Sequence, residues 1–135
     1  MLTYSTEQSV TPEDFKSLLI RSTLSERRPI DDEAIIKGMI ENSNLVVSCW
    51  EKEKLIGISR CVTDYHYCCY LSDLAIDASY QKKGIGKKLV EETAKALKPT
   101  CKIILLSAPT AKEYYPRIGF NQHPSAWITP VKEWV

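Results

Sequence analysis

Apolar and polar residues recur along this chain with two different periods, which predict a sheet with helices packed on it. Three β-rich runs occupy the middle of the chain. Leu45–Trp50 and Leu55–Val62 are joined by a charged turn and predict a hairpin, and Tyr67–Ile76 follows after a short break. A further short strand is predicted at Leu2–Ser5, before the first helical segment.

Four segments have the spacing or the end signals of helices. A hydroxyl followed by proline and two acids, beginning at Thr11, is a typical helix start, and Asp31 can cap a second helix. The third helix is predicted from about Gly84 to Lys98, with an apolar stripe on one face. The capping-box pattern Thr110–Glu113 predicts a short fourth helix.

The last third of the chain completes the predicted sheet. Cys101–Ser107 is a continuous apolar run, typical of a strand buried on both faces, and the tail around Trp127 predicts a final edge strand. The resulting order is β-α-α-β-β-β-α-β-α-β. It predicts an α/β (α+β) fold, with a mixed, mostly antiparallel sheet of about six or seven strands and four helices. The length of 135 residues predicts one domain over residues 1–135.

Composition narrows the classes of partner. The net charge is +1 and no long basic stripe is present, which argues against nucleic acid. No apolar stretch approaches the roughly 20 residues of a membrane helix, and the N-terminus lacks a signal-peptide pattern. The five cysteines are odd in number and form no C-x-x-C pair, which predicts free thiols rather than disulfides or a zinc site. We therefore expect a cytoplasmic protein that uses no metal.

The stretch from Leu71 to Leu89 contains the clearest candidate chemistry. A strand ends here, and Gln81–Gly86 leads into a helix through a turn that contains glycine. Such a turn presents several backbone N–H groups to one anion, and the helix N-terminus adds partial positive charge. Three lysines make the stretch more attractive to phosphate: Lys82, Lys83 and Lys87. The stretch predicts a ligand with a pyrophosphate; the alternatives are a plain turn and a solvated lysine face.

Three segments resemble the GNAT superfamily of N-acetyltransferases, which move an acetyl group from acetyl-CoA to an amine. Gln81–Gly86 resembles the family's Q/R-x-x-G-x-G/A pyrophosphate loop, and Leu74–Ile76 resembles the strand before that loop. Tyr114–Phe120 resembles its aromatic-Tyr-x-x-x-Gly-Phe segment. The resemblance covers nearly the whole chain and implies the GNAT fold in a small, single-domain, bacterial-type member. It also implies acetyl-CoA as cosubstrate and a primary amine of an unidentified acceptor, attacked directly in a ternary complex.

The resemblance also implies roles for residues on the cofactor side. Backbone N–H groups from about Gln81 to Lys87 would hold the pyrophosphate. The strand before the loop would splay from the strand Ile103–Ser107, and pantetheine amides would pair with Leu74 and Ile76 in the gap. A backbone N–H there would polarise the acetyl carbonyl. The implied cofactor contacts are Leu74, Ala75, Ile76, Gln81, Lys82, Lys83, Gly84, Ile85, Gly86, Lys87 and Tyr115.

Tyr115 matches the family's general acid, because a phenol with an ordinary pKa near 10 is protonated at pH 7 and can protonate the departing thiolate. Two departures from the family pattern bear on the site: Pro116 directly follows the tyrosine, and Ala108 stands where many relatives carry asparagine. Asp73 is a candidate base for the amine, with local hydrogen bonding as the alternative. His66 is a second candidate, because its unperturbed pKa suits a base.

The acceptor side is less defined by the sequence. Arg27 and Arg28, in the predicted loop Ser22–Pro29, could meet a carboxylate or phosphate on the acceptor, although ordinary surface loops have the same composition. A homodimer formed through an edge strand or the tail is a further expectation. Two other functions stay open: a non-catalytic module that binds or senses acyl-CoA, and a binder of nucleotide phosphates.

Overall fold

The computed structural model describes all 135 residues and has one central sheet of five strands in the order β1-β2-β3-β4-β5. The strands are β1 Leu2–Ser5, β2 Leu45–Glu51, β3 Lys54–Thr63, β4 Cys68–Ile76 and β5 Lys102–Ile104. The first four pair antiparallel, and β5 pairs parallel with β4. The sheet is therefore mixed and mostly antiparallel, which confirms the predicted fold class.

The chain also has four α-helices. They are α1 Pro12–Arg21, α2 Glu33–Glu41, α3 Ile85–Lys95 and α4 Tyr114–Arg117. The Thr11 side chain caps α1 as predicted, whereas Asp32 caps α2, one residue later than predicted. The capping box at Thr110 is wrong: α4 begins at Tyr114 without a side-chain cap. None of the helices combines the length and the apolar character of a bilayer-crossing segment.

The sheet has an apolar core on each face. α1 and α2 pack on one face of the sheet, and the core there has nine buried residues from helices and strands: Phe15, Leu18, Leu19, Ile36, Ile40, Trp50, Leu55, Ile58 and Ala75. α3 packs on the other face, where the core likewise combines helix and strand residues: Leu45, Val47, Cys49, Ile56, Cys61, Cys69, Leu71, Ile85 and Leu89. Neighbouring residues of a strand point to opposite faces, so β3 and β4 supply apolar side chains to both cores.

The last third of the chain departs from the prediction. β5 is only three residues long, and exposure alternates along it and beyond it, with Ile104 51% and Leu106 47% exposed. The run 101–107 is therefore not a strand buried on both faces: the side chains on one face are exposed, and those on the other are only partly buried. The predicted tail strand is also wrong: residues 121–135 contain a single 3-10 turn, and Trp127 is 95% exposed. The sheet thus has five strands rather than six or seven.

The turn between β3 and β4 is organised by one carboxylate. Asp64 Oδ1 accepts hydrogen bonds from the backbone N–H groups of His66 at 3.0 Å, Tyr67 at 2.8 Å and Cys68 at 3.0 Å. These bonds stabilise the charged form, with those from Tyr67 and Cys68 contributing most, and they lower the pKa of Asp64 to about 2. The ionised side chain therefore fixes the register at which β4 begins.

We expect Asp64→Ala to lower the thermal midpoint at pH 7, because three backbone donors lose their acceptor. The folded-state pKa lies below the unfolded value near 3.9, so this stabilisation is present above about pH 4 and is lost as the pH falls toward 2. Thermal melts at pH 7, 4 and 3 should show that the difference in thermal midpoint between wild type and variant becomes smaller as the pH falls. Asp31→Ala, at an exposed aspartate without such bonds, is the control. A difference in thermal midpoint that does not change with pH would contradict this account.

Candidate active site

A gap opens between β4 and β5, at the edge of the sheet that β5 forms. The two strands pair for only three residues, and the last pair is Tyr70 opposite Ile104. Beyond that point β4 continues to Ile76 while the chain after Ile104 leaves it. The splay implied by the family resemblance is therefore present.

The backbone groups of Leu74 and Ile76 face this gap. The Asp77 N–H donates to the Ile56 carbonyl at 2.8 Å, which fixes which residues of β4 bond to β3. Hydrogen-bonded positions alternate along an antiparallel pair, so the peptide groups of Leu74 and Ile76 point away from β3. The Gln81 side chain reaches the Ile76 carbonyl at 3.3 Å from this open side. β4 thus offers a free edge to an extended ligand that carries amides.

A second set of free donors lies in the loop before α3. Lys82 and Gly84 have φ angles of 65° and 79°, in the left-handed region, and Gly84 caps α3 without a side-chain hydrogen bond. The backbone N–H groups of residues 82–87 donate to no acceptor in the chain; the first bond of the helix runs from Lys88 to Gly84 at 3.1 Å. Unpaired donors at a helix N-terminus make a site for an anion.

The lysines around this loop have different surroundings. The Lys83 ammonium lies 5.4 Å from the centroid of the Tyr80 ring, in a cation–π contact. Lys82 and Lys87 are exposed and form no ion pair within the chain. These two side chains are therefore free to approach a phosphate, and whether they bind one stays a prediction.

Gly86 makes room for the side chain of Tyr114, which the sequence assigned only to the aromatic motif Tyr114–Phe120. A Cβ at Gly86 would lie 2.2 Å from Tyr114 Oη and 3.2 Å from Tyr114 Cζ. The second glycine of the loop therefore allows α4 to pack on α3, in addition to the ligand role that the resemblance implies. The sequence motif around Tyr114 does not predict this contact, because Gly86 and Tyr114 are 28 residues apart in the chain.

We expect Gly86→Ala to be coupled to Tyr114→Phe in unfolding free energy. Alanine favours the helix but collides with the Tyr114 hydroxyl, so its cost should be about 1 kcal/mol larger with tyrosine than with phenylalanine at 114. Urea unfolding of the wild type, both single variants and the double variant measures this difference. The two single variants are each other's controls, and additive effects would contradict the close approach.

Tyr115 lines a small cavity of about 70 Å³ beside the gap. The cavity walls are mostly apolar: Leu24, Arg27, Arg28, Leu71, Ser72, Leu74, Leu105, Leu106, Ala108, Ala111 and Tyr115. The Tyr115 ring meets Tyr114 and Phe120 edge to face, with centroids 5.2 and 5.5 Å away. Burial raises the pKa of Tyr115 above its ordinary value, and the guanidinium of Arg28 partly opposes this. The hydroxyl is therefore protonated at neutral pH and can donate a proton.

Neither candidate base, Asp73 or His66, is placed where it could readily take a proton from an amine in the cavity. Asp73 is 1% exposed, and its two oxygens accept from Arg28 Nε at 2.5 Å and from Arg60 Nε. This geometry favours the local hydrogen-bonding alternative over a role as base. His66 is exposed in the turn before β4, at the opposite end of the strand from Leu74, and this position does not favour a role as base.

A comparison with models of protein families identifies the family of this chain. The model of the acetyltransferase (GNAT) domain matches residues 6–128. The chain belongs to the GNAT acetyltransferase family. A curated relative, the uncharacterized N-acetyltransferase ycf52-like of Prochlorococcus marinus, is 30% identical over 112 residues, or 78% of this chain and 61% of the relative. The chain therefore spans less than two thirds of that relative.

Solved structures show the same GNAT fold. The Staphylococcus aureus protein SA2161, of unknown function, has a TM-score of 0.77 at 20% identity, over 96% of this chain and 100% of that one. An aminoglycoside N-acetyltransferase, AAC(6')-Iy, solved in complex with CoA, has a TM-score of 0.72 at 13% identity, over 96% and 94% of the two chains. At these identities the comparison shows the fold alone.

The two departures from the GNAT pattern leave the cavity intact. Pro116 lies in the first turn of α4, where a helix needs no N–H donor, so Tyr115 keeps a helical backbone. The Tyr115 carbonyl accepts from Ile118 at 3.1 Å and from Phe120 at 3.0 Å, which holds the turn in place. Ala108 lines the cavity and contributes no polar group.

Proposed function

We propose that this GNAT domain transfers the acetyl group of acetyl-CoA to a primary amine by direct attack in a ternary complex. One observation carries the proposal. The loop with the free N–H groups of residues 82–87 adjoins the free edge of β4, because the Gln81 side chain reaches the Ile76 carbonyl. That edge adjoins Tyr115, because Leu74 and Tyr115 line the same cavity, and we take these features as one cleft. Acetyl-CoA has a group for each of these features: a pyrophosphate for the N–H groups, an amide-containing arm for the strand edge and a thioester for the tyrosine.

The cofactor would lie along this cleft from α3 toward the cavity. The backbone of the loop, including Gly84, Ile85 and Gly86, would hold the pyrophosphate, with Lys82 and Lys87 outside it. Pantetheine amides would pair with Leu74 and Ile76 on either side of Ala75. Because the Gln81 amide reaches the Ile76 carbonyl in the free protein, it would have to release that carbonyl as the cofactor binds.

The chemistry needs one oxyanion site and two proton transfers. The neutral amine attacks the carbonyl carbon, and the electron pair of the carbonyl moves to oxygen, where a backbone N–H of β4 stabilises it. The C–S bond then breaks, and Tyr115 gives its proton to the thiolate. The amine loses one proton; since Asp73 is engaged by two arginines, water is the acceptor we propose.

A second function is favoured by one feature of the cavity. Apart from Tyr115, its lining contains two arginines but no carboxylate and no histidine that could act as a base. A module that binds acyl-CoA without turning it over needs the loop and the gap and does not need a base. This alternative predicts saturable binding of acetyl-CoA and no release of CoA.

Release of CoA from acetyl-CoA in the presence of a panel of amines tests both functions, with mass spectrometry of the acetylated product. Turnover with any amine supports acetyl transfer. Saturable binding by calorimetry without turnover on a broad panel supports the binding module. ATP competing better than CoA in a thermal-shift assay would instead indicate a nucleotide binder, and the absence of acetyl-CoA binding would overturn the proposal.

A further inference from the structure

The cavity that holds Tyr115 has an excess of positive charge in its lining. Arg27 and Arg28 both line it, and no carboxylate does. The segment that supplies them begins with a 3-10 turn, Leu24–Arg27, which follows α1 and faces Tyr115 across the cavity. The cavity walls are mostly apolar, so the charge of the partly buried Arg28 is screened less than it would be in open water.

Arg28 is fixed in place by the body of the protein. Its Nε donates to Asp73 at 2.5 Å, and its two terminal nitrogens donate to the Arg27 carbonyl at 3.0 Å and the Ser72 carbonyl at 2.9 Å. Asp73 also accepts from Arg60, so a single carboxylate faces two guanidiniums. The local group therefore keeps a net positive charge.

Arg27 differs because its side chain has no partner. It is exposed at the cavity mouth and makes no hydrogen bond, ion pair or aromatic contact within the chain. By contrast, a wider depression of about 350 Å³ along α1 is lined by equal numbers of acids and bases, and Lys16 pairs there with Glu33 at 2.7 Å. The lining of the cavity that holds Tyr115 therefore has an unbalanced positive charge that this depression lacks.

We propose that Arg27, supported by Arg28, binds an anionic group on the acceptor, a carboxylate or a phosphate, a few bonds from the amine that is acetylated. A guanidinium donates two parallel hydrogen bonds to such an anion, which orients it as well as attracting it. The same positive charge disfavours polycationic acceptors and lowers the pKa of a bound amine, which favours the neutral, nucleophilic form. The inference rests on the proposed acetyl transfer and names the class of acceptor for it.

Matched pairs of small amines test this on protein saturated with CoA, with calorimetry as the readout. The pairs are O-phosphoethanolamine with ethanolamine, for phosphate, and β-alanine with β-alaninamide, for carboxylate. We expect the anionic member of at least one pair to bind about tenfold tighter than its neutral partner, the increment of one charge-assisted hydrogen-bonded contact. The pair that shows the larger ratio distinguishes phosphate from carboxylate.

Arg27→Gln should abolish this ratio and leave CoA affinity unchanged, whereas Lys37→Gln, at an exposed lysine on α2, should keep the ratio. Equal binding of both members in the wild type, a ratio that survives in Arg27→Gln, or no binding of any member would overturn the proposal. Failure of the acetyl transfer itself is distinguishable, because it shows as a lack of acetyl-CoA binding or of CoA release on the amine panel.

Discussion

Replacing Tyr115 with phenylalanine is expected to lower kcat by about two to four orders of magnitude, the usual contribution of a general acid. The ring keeps its edge-to-face contacts with Tyr114 and Phe120, so the cavity keeps its shape. What is lost is the proton that the thiolate receives as the C–S bond breaks. Acetyl-CoA affinity, measured by calorimetry, should therefore stay close to the wild-type value.

Tyr114→Phe is the matched control for this variant. It removes a hydroxyl from the neighbouring residue, whose oxygen lies against Gly86 rather than in the cavity, and should leave kcat close to wild type. Because burial raises the pKa of Tyr115, the wild-type rate should lose no activity from this group until the pH exceeds about 10. Wild-type kcat in Tyr115→Phe would exclude the tyrosine as the acid.

The second large effect is expected at Gly84, where we predict that valine weakens acetyl-CoA binding by about tenfold to a hundredfold. Gly84 has a φ of 79°, which costs a β-branched residue about 1–3 kcal/mol. A Cβ at this position would meet no atom within 4 Å, so the cost comes from the backbone and not from a collision. The loop would relieve it by rotating its peptide groups, which misaligns the N–H donors.

Gly84→Asn separates backbone strain from the mere presence of a side chain. Asparagine is similar in size to valine but tolerates the left-handed region, so it should retain most of the affinity. Calorimetry with acetyl-CoA compares the three proteins, and circular dichroism checks that each is folded. Equal affinity in the valine variant and the wild type would remove the loop from the phosphate site, whereas equal losses in both variants would point to blocking by the side chain.

Much of the fold could be predicted from the sequence because its elements have strong local periods. The hairpin β2–β3, the strand β4 and the helix α3 lie close to the predicted ranges. Each has an apolar pattern or run bounded by clear end signals, so the pattern of a single segment is enough to identify it. The prediction was wrong where a segment's state depends on a distant neighbour. β5 is only three residues long and Ile104 is exposed, and the prolines in the tail supply no ladder donors.

The candidate site divides in the same way. The sequence by itself determined the glycine-bearing loop from Gln81 to Gly86 and the segment with Tyr115, because loop conformation and helix start depend on residues next to each other in the chain. Only the tertiary structure decided that Asp73 lies between two arginines and that Arg27 is left without a partner. Arg28 and Asp73 are 45 residues apart, and the packing of the α1–α2 connection against β4 brings them together. A charge is satisfied or left free by its neighbours in space, and those neighbours are set by the fold.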